Sequence, residues 1–206
     1  MTERDARDDL AFMRNIVAAG EDTMRPMGAA YFAAGLCSGI QCLLHGLRML
    51  GWDPGWAGVD LAIGILPTVV FLAIMILLVA RDRGRPRLES STSRAIGIAF
   101  ACVGLANLAL IAVIGLVAWG QQSLQTWLIY PCVVMILQGM AWLFAYMLRR
   151  RAWLGGIAAG WFATGIGMAA ALAAESESGF LIILGFGLFA FMTAPGAWLM
   201  RSARGA

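Results

Sequence analysis

The chain alternates six long apolar segments with short polar ones. The apolar runs cover roughly residues 27–50, 57–80, 95–119, 127–148, 152–174 and 179–200. Each run is about 20 residues or longer, which is the length that an α-helix needs to cross the hydrocarbon core of a bilayer. The pattern predicts an all-α polytopic membrane protein whose six transmembrane helices form three antiparallel hairpins.

The regions outside the spans are short. Residues 1–26 form a cytoplasmic N-terminal segment, and positions 8–19 within it show the periodicity of a short amphipathic helix. Residues 27–200 form the bundle, and residues 201–206 form a cytoplasmic tail. No room remains for a soluble catalytic domain, so we expect any chemistry to take place within the helices or at their ends.

Composition agrees with a membrane protein. Hydrophobic residues make up 61% of the chain and charged residues 13%, with a mean hydropathy of +0.78. Soluble domains have about half apolar and about a quarter charged residues. We therefore expect lipid, rather than water, around most of this surface.

Arginine is distributed on one side of the predicted spans. All fifteen basic residues are arginine, and fourteen of them precede the first span, separate the second from the third or the fourth from the fifth, or follow the sixth. The opposite loops at 51–56, 120–126 and 175–178 contain none. Because basic loops stay in the cytoplasm, we expect both termini to be cytoplasmic in a bacterial inner membrane.

A polar stripe interrupts the first apolar run. Ser38, Gln41, His45 and Arg48 fall within an arc of roughly 80° on a helix. We expect Arg48 to pair with Asp60 at the start of the second span, with Asp53 as another acid nearby. Deeper polar groups could join, so the candidate polar pocket comprises Ser38, Gln41, His45, Arg48, Asp60, Asn107 and Gln138.

Polar residues inside a membrane usually face protein or water and have partners. The stripe therefore has four interpretations. It can be a hydrogen-bonded network that joins the first two helices, or a pocket that faces outside and binds a small or amphiphilic ligand. It can also be a proton or ion path through His45, or a haem site that takes its second histidine from another copy of the chain.

Glycines and prolines recur at similar positions in the three hairpins. Arg25, Gly28 and Gly35 have the same offsets as Arg94, Gly97 and Gly104, and each even span contains one proline, at Pro67, Pro131 or Pro195. This spacing predicts a threefold internal repeat, although the charge rhythm of any six-span protein produces part of it. Rows such as Gly28/Gly35/Cys42 and Gly156/Gly160/Thr164 predict close helix contacts.

Signatures of enzymes are absent from the sequence. There is one histidine, so the HExxH pattern cannot occur, and neither GxSxG nor a Walker loop is found. The four cysteines show no CxxC or metal-ligand spacing. The basic loop at 81–94 lacks interleaved aromatic residues, so we expect it to bind no nucleic acid. From the histidine and cysteine patterns we also expect no cofactor and no metal. The expected partners are the lipid bilayer and either a second copy or another membrane protein.

Three stretches carry a resemblance to known proteins. DDLAFMRNIVAAGE at the beginning, QGMAWLFAYMLRRRAWL at 138–154 and APGAWLMR at 194–201 resemble a set of small six-span inner-membrane proteins of proteobacteria. The resemblance implies the six-span topology and the inner-membrane location. It implies no activity and supplies no site residues.

These observations favour a non-enzymatic membrane protein that is a sensor, an accessory subunit or a small-ligand-binding module with the stripe as its polar centre. The alternative is a small transporter that is built from helical hairpins and acts as a monomer or a dimer. A membrane redox protein that uses haem or quinone is a further alternative.

Overall fold

The structure is a computed structural model that describes residues 24–82 and 91–202. Within these ranges the fold is all-α, without strands, and six helices are long and apolar enough to cross a membrane. The predicted all-α, six-span architecture is therefore confirmed. The amphipathic helix predicted at 8–19 lies outside the described residues.

The helices follow the six apolar runs closely. They are α1 Met24–Met49, α2 Val59–Asp82, α3 Ser91–Gln121, α4 Leu124–Arg149, α5 Ala152–Ala173 and α6, which has three parts: Glu177–Leu188, a π-helical segment Phe189–Thr193, and Ala194–Ser202. Turns of only two residues separate α3 from α4 and α4 from α5. Such short turns force these neighbours to be antiparallel.

Charge distinguishes the two ends of the bundle. Six described arginine side chains lie at the end where α1 begins: Arg81, Arg94, Arg149, Arg150, Arg151 and Arg201. The four described carboxylate side chains lie at the opposite end: Asp53, Asp60, Glu175 and Glu177. We call these the arginine end and the carboxylate end.

The helices pack in a row in the order α2–α1–α6–α5–α4–α3. Each predicted hairpin is in contact, and the α1–α6 and α4–α5 interfaces join the hairpins into one bundle. α2 and α3 are consecutive in sequence, yet they occupy the two edges of the row, and each packs mainly against one neighbour.

The two edge helices are the most apolar of the six spans. Many of their large side chains are exposed, among them Leu61 and Ile76 on α2 and Leu105 and Leu116 on α3. In a bilayer this exposure costs little, because lipid tails are as apolar as leucine. Less apolar spans such as α5 contribute more of the buried core, which includes Trp161 and Met168.

Glycine allows α1 and α6 to approach closely. A Cβ on Gly196 would lie 2.5 Å from the Phe32 nitrogen and 2.8 Å from the Gly28 carbonyl oxygen. A Cβ on Gly35 would lie 2.6 Å from Thr193 Oγ1. The glycines of the predicted first-span row therefore pack between helices of the same chain, as small residues in membrane helices commonly do.

The other glycine rows behave differently. Gly160 packs beneath the Phe191 ring, but a Cβ on Gly156 would meet nothing within 4 Å. Gly97 and Gly104, the predicted counterparts of Gly28 and Gly35, are equally open. The matching offsets therefore do not reflect matching packing, and the threefold repeat remains a prediction.

α6 is wound more widely at its centre. In the π segment the Thr193 hydroxyl donates to the Leu188 carbonyl oxygen at 3.4 Å, and the segment ends two residues before Pro195. The segment lies between α1 and α5, with Thr193 against Gly35 and Phe191 against Gly160. A wide π-helical turn, packed against Gly35 and Gly160, thus precedes Pro195, which has no N–H to donate within the helix.

Candidate functional site

The polar stripe of α1 ends at Arg48, in the last turn of the helix. A positive side chain is favourable there because the carboxyl end of a helix carries partial negative charge. Asp60 lies in the first turn of α2, where a negative side chain is favourable for the converse reason. The hairpin connection brings these two turns together at the carboxylate end.

Arg48 and Asp60 form a bidentate ion pair. Arg48 Nε donates to Asp60 Oδ1 at 2.9 Å, and Nη2 donates to Asp60 Oδ2 at 3.1 Å. This parallel arrangement is the strongest geometry available to an arginine and a carboxylate. The pair predicted from the sequence is present.

The remaining Arg48 nitrogen binds the connecting loop. Nη1 donates to Asp53 Oδ1 at 3.0 Å and to the Trp52 carbonyl oxygen at 3.0 Å. Asp53 Oδ1 also accepts from the Gly55 backbone N–H at 3.0 Å. One guanidinium thus fixes the end of α1, the loop and the start of α2; we call Arg48, Asp53 and Asp60 the latch.

The loop conformation that presents Asp53 depends on glycine. Gly51 and Gly55 have φ values of +93° and +72°, a region that side-chain-bearing residues rarely adopt. The sequence GWDPG contains these glycines on either side of Asp53, so the turn could be recognised. The Trp52 carbonyl was missed as a ligand of Arg48, because a backbone acceptor carries no side-chain signal.

The latch is open to the surroundings. The Arg48 side chain is 23% exposed, whereas the Asp53 and Asp60 side chains are 68% and 65% exposed. His45 lies close enough to Asp60 to contribute to the electrostatic field at its carboxylate. The latch is therefore a charged surface that dissolved ions and small molecules can reach.

A second polar contact joins α1 to α2 deeper in the bundle. Gln41 Nε2 donates to the Gly64 carbonyl oxygen at 2.9 Å. Pro67 lacks an N–H and so leaves the carbonyl of residue 63, next to Gly64, without its helical donor. The stripe residue Ser38 makes no side-chain hydrogen bond within the described part of the chain.

The two deep amides of the predicted pocket belong to the α3–α4 hairpin. Asn107 Oδ1 and Gln138 Oε1 are buried, and neither accepts a hydrogen bond from the described residues. No hydrogen bond connects them to Gln41, Arg48 or Asp60 across residues 24–82 and 91–202. Hydrogen bonds of Arg48 and Gln41 thus join α1 to α2. The side chains of Asn107 and Gln138 take no part in these bonds.

An aromatic cluster lies nearer the arginine end. Trp142 Nε1 donates to the Tyr31 hydroxyl at 2.7 Å, and the rings of Tyr31, Phe100 and Trp142 contact one another edge to face. Trp153 continues the cluster and lies 4.5 Å, between ring centroids, from Trp198. This cluster joins α1, α3, α4, α5 and α6.

Tryptophans near the ends of membrane helices commonly lie at the interface, and here the rings of Trp153 and Trp198 are in direct contact. The sequence contains one indication that Tyr31 faces the protein interior: it lies on nearly the same face of the first span as the stripe. Trp161 is fully buried, and its Nε1 donates to no acceptor of the described chain.

The described residues offer few donors for a metal ion or a haem. No three His, Cys, Asp or Glu residues of the described ranges are grouped closely enough to hold a metal ion. His45 is the single histidine of the sequence and could supply only one axial ligand to a haem. The latch offers charge and hydrogen bonds for recognition.

Comparison with models of protein families, with curated proteins and with solved structures gives no match to this chain. Function must therefore be inferred from the chain's own residues.

Proposed function

We propose that this protein is a non-enzymatic sensor in the bacterial inner membrane, with both termini in the cytoplasm and the carboxylate end outside. The division of charge supports this orientation, because the cytoplasmic ends of membrane helices carry an excess of arginine. The observation that carries the function is the latch, an ion-pair cluster that joins two helices and remains open to the solution.

The latch suits a contact that opens and closes. Exposed ion pairs contribute little to stability, because water and salt compete for both partners. Both latch carboxylates are about two-thirds exposed. A small cation can bind them in place of Arg48, and a small anion can bind Arg48 in place of them.

Opening the latch would act mainly on α2. Among the described helices, α2 packs extensively only against α1, and its large side chains mostly face outward. After the latch opens, the Gln41–Gly64 hydrogen bond and apolar contacts still hold α2 in place. The opposite end of α2 leads to the arginine-rich sequence at 83–90, so movement of α2 would connect an outside ligand to a cytoplasmic segment.

The test measures the separation of α1 and α2 in the full chain. Spin labels at Leu50 and Leu61, both exposed, report the distance in a variant that lacks the native cysteines. We expect Asp60→Asn to broaden and lengthen this distance, and Glu177→Gln, an acid at the same end outside the latch, to leave it unchanged. Magnesium chloride and sodium succinate then probe a cation and an anion.

If Asp60→Asn and both salts leave the distance unchanged, the latch is a static strut and the sensor proposal fails. Reporter fusions at residues 84 and 150 test the orientation separately. Both positions are expected in the cytoplasm, and an external position for either would overturn the assignment of the two ends.

A small transporter is the second candidate, because α6 contains a π-helical segment at its centre. The π segment contacts both α1 and α5 and precedes Pro195. Such interruptions of membrane helices can serve as hinges. A substrate flux that depends on the protein in vesicles, and that stops in a variant with a regular α6, would favour transport over sensing.

A further inference from the structure

We infer that the turn between α4 and α5 binds the phosphate headgroup of an anionic phospholipid through Arg150 and Arg151. The inference does not depend on the latch, which lies at the other end of the bundle. It rests on the charge, the backbone conformation and the uncapped helix at this turn.

Positive charge is concentrated at the turn. Arg149, Arg150 and Arg151 are consecutive, and Arg149 Nη2 donates to Ser93 Oγ at 3.0 Å, which brings the first turn of α3, with Arg94, to the same corner. Arg94, Arg150 and Arg151 are exposed, and no ion pair within the described chain involves any of them. The nearby charges of Arg149 and Arg151 repel each other.

The conformation of Arg150 is unfavourable for an arginine. Its φ of 53° and ψ of 28° place it in the left-handed region at the carboxyl end of α4. Glycine or asparagine usually occupies this position, because a Cβ is strained there. Gln122 and Glu175 adopt the same conformation after α3 and α5. What distinguishes Arg150 is that its strained position carries an exposed positive charge.

The next residue leaves backbone donors available. Arg151 is the N-cap of α5 and makes no side-chain capping hydrogen bond, unlike Ser123, which caps α4. The first N–H groups of a helix have no partner within it and favour an anion. A positive side chain at the amino end of a helix is unfavourable on its own, because that end carries partial positive charge. A bound phosphate would make the local electrostatic energy favourable.

A lipid headgroup fits this corner better than a phosphate in solution. The turn joins the ends of two membrane-length helices, and in a bilayer the ends of such helices lie near the headgroups. Tyr146 lies four residues before Arg150 and Trp153 lies two residues after Arg151. Tyrosine and tryptophan commonly lie at the membrane interface. Clusters of arginine next to a bilayer attract anionic lipids.

The experiment uses the full chain in mild detergent and compares phosphatidylglycerol with phosphatidylcholine by native mass spectrometry and thermal shift. Arg150→Gly should relieve the backbone strain, so this variant is expected to melt at the same or a higher temperature. Its affinity for phosphatidylglycerol should nevertheless fall about fivefold, and that of the Arg150→Gly/Arg151→Gln variant roughly 25-fold. Arg201→Gln, at the same end but outside the turn, should bind as the native chain does.

Equal loss of affinity in Arg201→Gln would show a diffuse surface effect and overturn the proposed site. So would equal binding of the two lipids by the native chain. Competition by millimolar inorganic phosphate would assign the corner to a soluble anion instead of a lipid. If the double variant does not fold, Arg150→Gly alone, read against its own melting temperature, still decides between these outcomes.

Discussion

Substitution of Gly196 by alanine tests whether the contact between α1 and α6 holds the bundle together. The added Cβ would lie 2.5 Å from the Phe32 nitrogen, 2.8 Å from Phe32 Cα and 2.8 Å from the Gly28 carbonyl oxygen. All three neighbours are backbone atoms, so no side chain can rotate away. Ordinary contact begins near 3.4 Å, and the helices must therefore separate by roughly 0.9 Å at this point.

The separation sets the expected cost. A gap of about 0.5–1 Å loses a quarter to a half of the dispersion energy of the atoms that line it, at about 0.1–0.2 kcal/mol per atom pair. For roughly 50 such pairs around one tight crossing, at a middle value of about 0.15 kcal/mol per pair, the loss is about 2–4 kcal/mol. Alanine recovers up to about 1 kcal/mol through its higher helix propensity, so we expect a net loss of about 1–3 kcal/mol.

Gly104→Ala is the matched control. Gly104 lies inside α3, and a Cβ there would meet nothing within 4 Å, so alanine should be neutral or stabilising by up to about 1 kcal/mol. The assay is unfolding in mixed micelles by increasing sodium dodecyl sulfate, followed by tryptophan fluorescence and circular dichroism. Equal free energies of unfolding for the two variants would refute the view that close backbone contact at Gly196 stabilises the bundle.

Two further experiments test the interior. In a double-mutant cycle, Tyr31→Phe and Trp142→Phe should couple by about 0.6–1.5 kcal/mol in the free energy of unfolding, because their hydrogen bond joins α1 to α4; additive effects would show that the bond contributes nothing. Gly160→Ala should lower the melting temperature in detergent and disturb the π segment through Phe191, whereas Gly156→Ala should not. Equal melting temperatures for the Gly160→Ala and Gly156→Ala variants would contradict the packing of the π segment against Gly160.

The features that sequence could predict are local along the chain. Spans follow from runs of apolar residues, and hairpins follow from turns too short to allow any other arrangement. The Arg48–Asp60 pair was predictable for the same reason, because the two residues lie only twelve positions apart at the facing ends of one hairpin. Helical periodicity then determines which side each residue occupies.

The features that sequence could not predict depend on the order of the helices. Tyr31 and Trp142 are 111 residues apart, and they meet although α1 and α4 are not neighbours in the row of helices, because their large side chains reach each other within the aromatic cluster. The packing of glycines could not be predicted for the same reason. Gly35 and Gly104 have identical local spacing, but only Gly35 faces another backbone. Which glycine is packed depends on the neighbour opposite it, and local spacing contains no information about that neighbour.

The composition of α1 does, however, contain a clue to its place between two other helices. Gly28, Gly35, Gly39 and Gly46 lie within about 40° of one another around the helix, and all four pack against α6. The stripe that includes Gln41 and Arg48 is centred roughly 120° away and binds α2. A helix that serves two protein interfaces has small residues on one face and polar residues on the other, and both lower its hydropathy. α1 is accordingly the least apolar span, and the edge helices α2 and α3, which meet mostly lipid, are the most apolar. In this fold high hydropathy distinguishes the two edge helices from the four inner ones, which gives a criterion for an edge position that hydrophobic periodicity within each span does not supply.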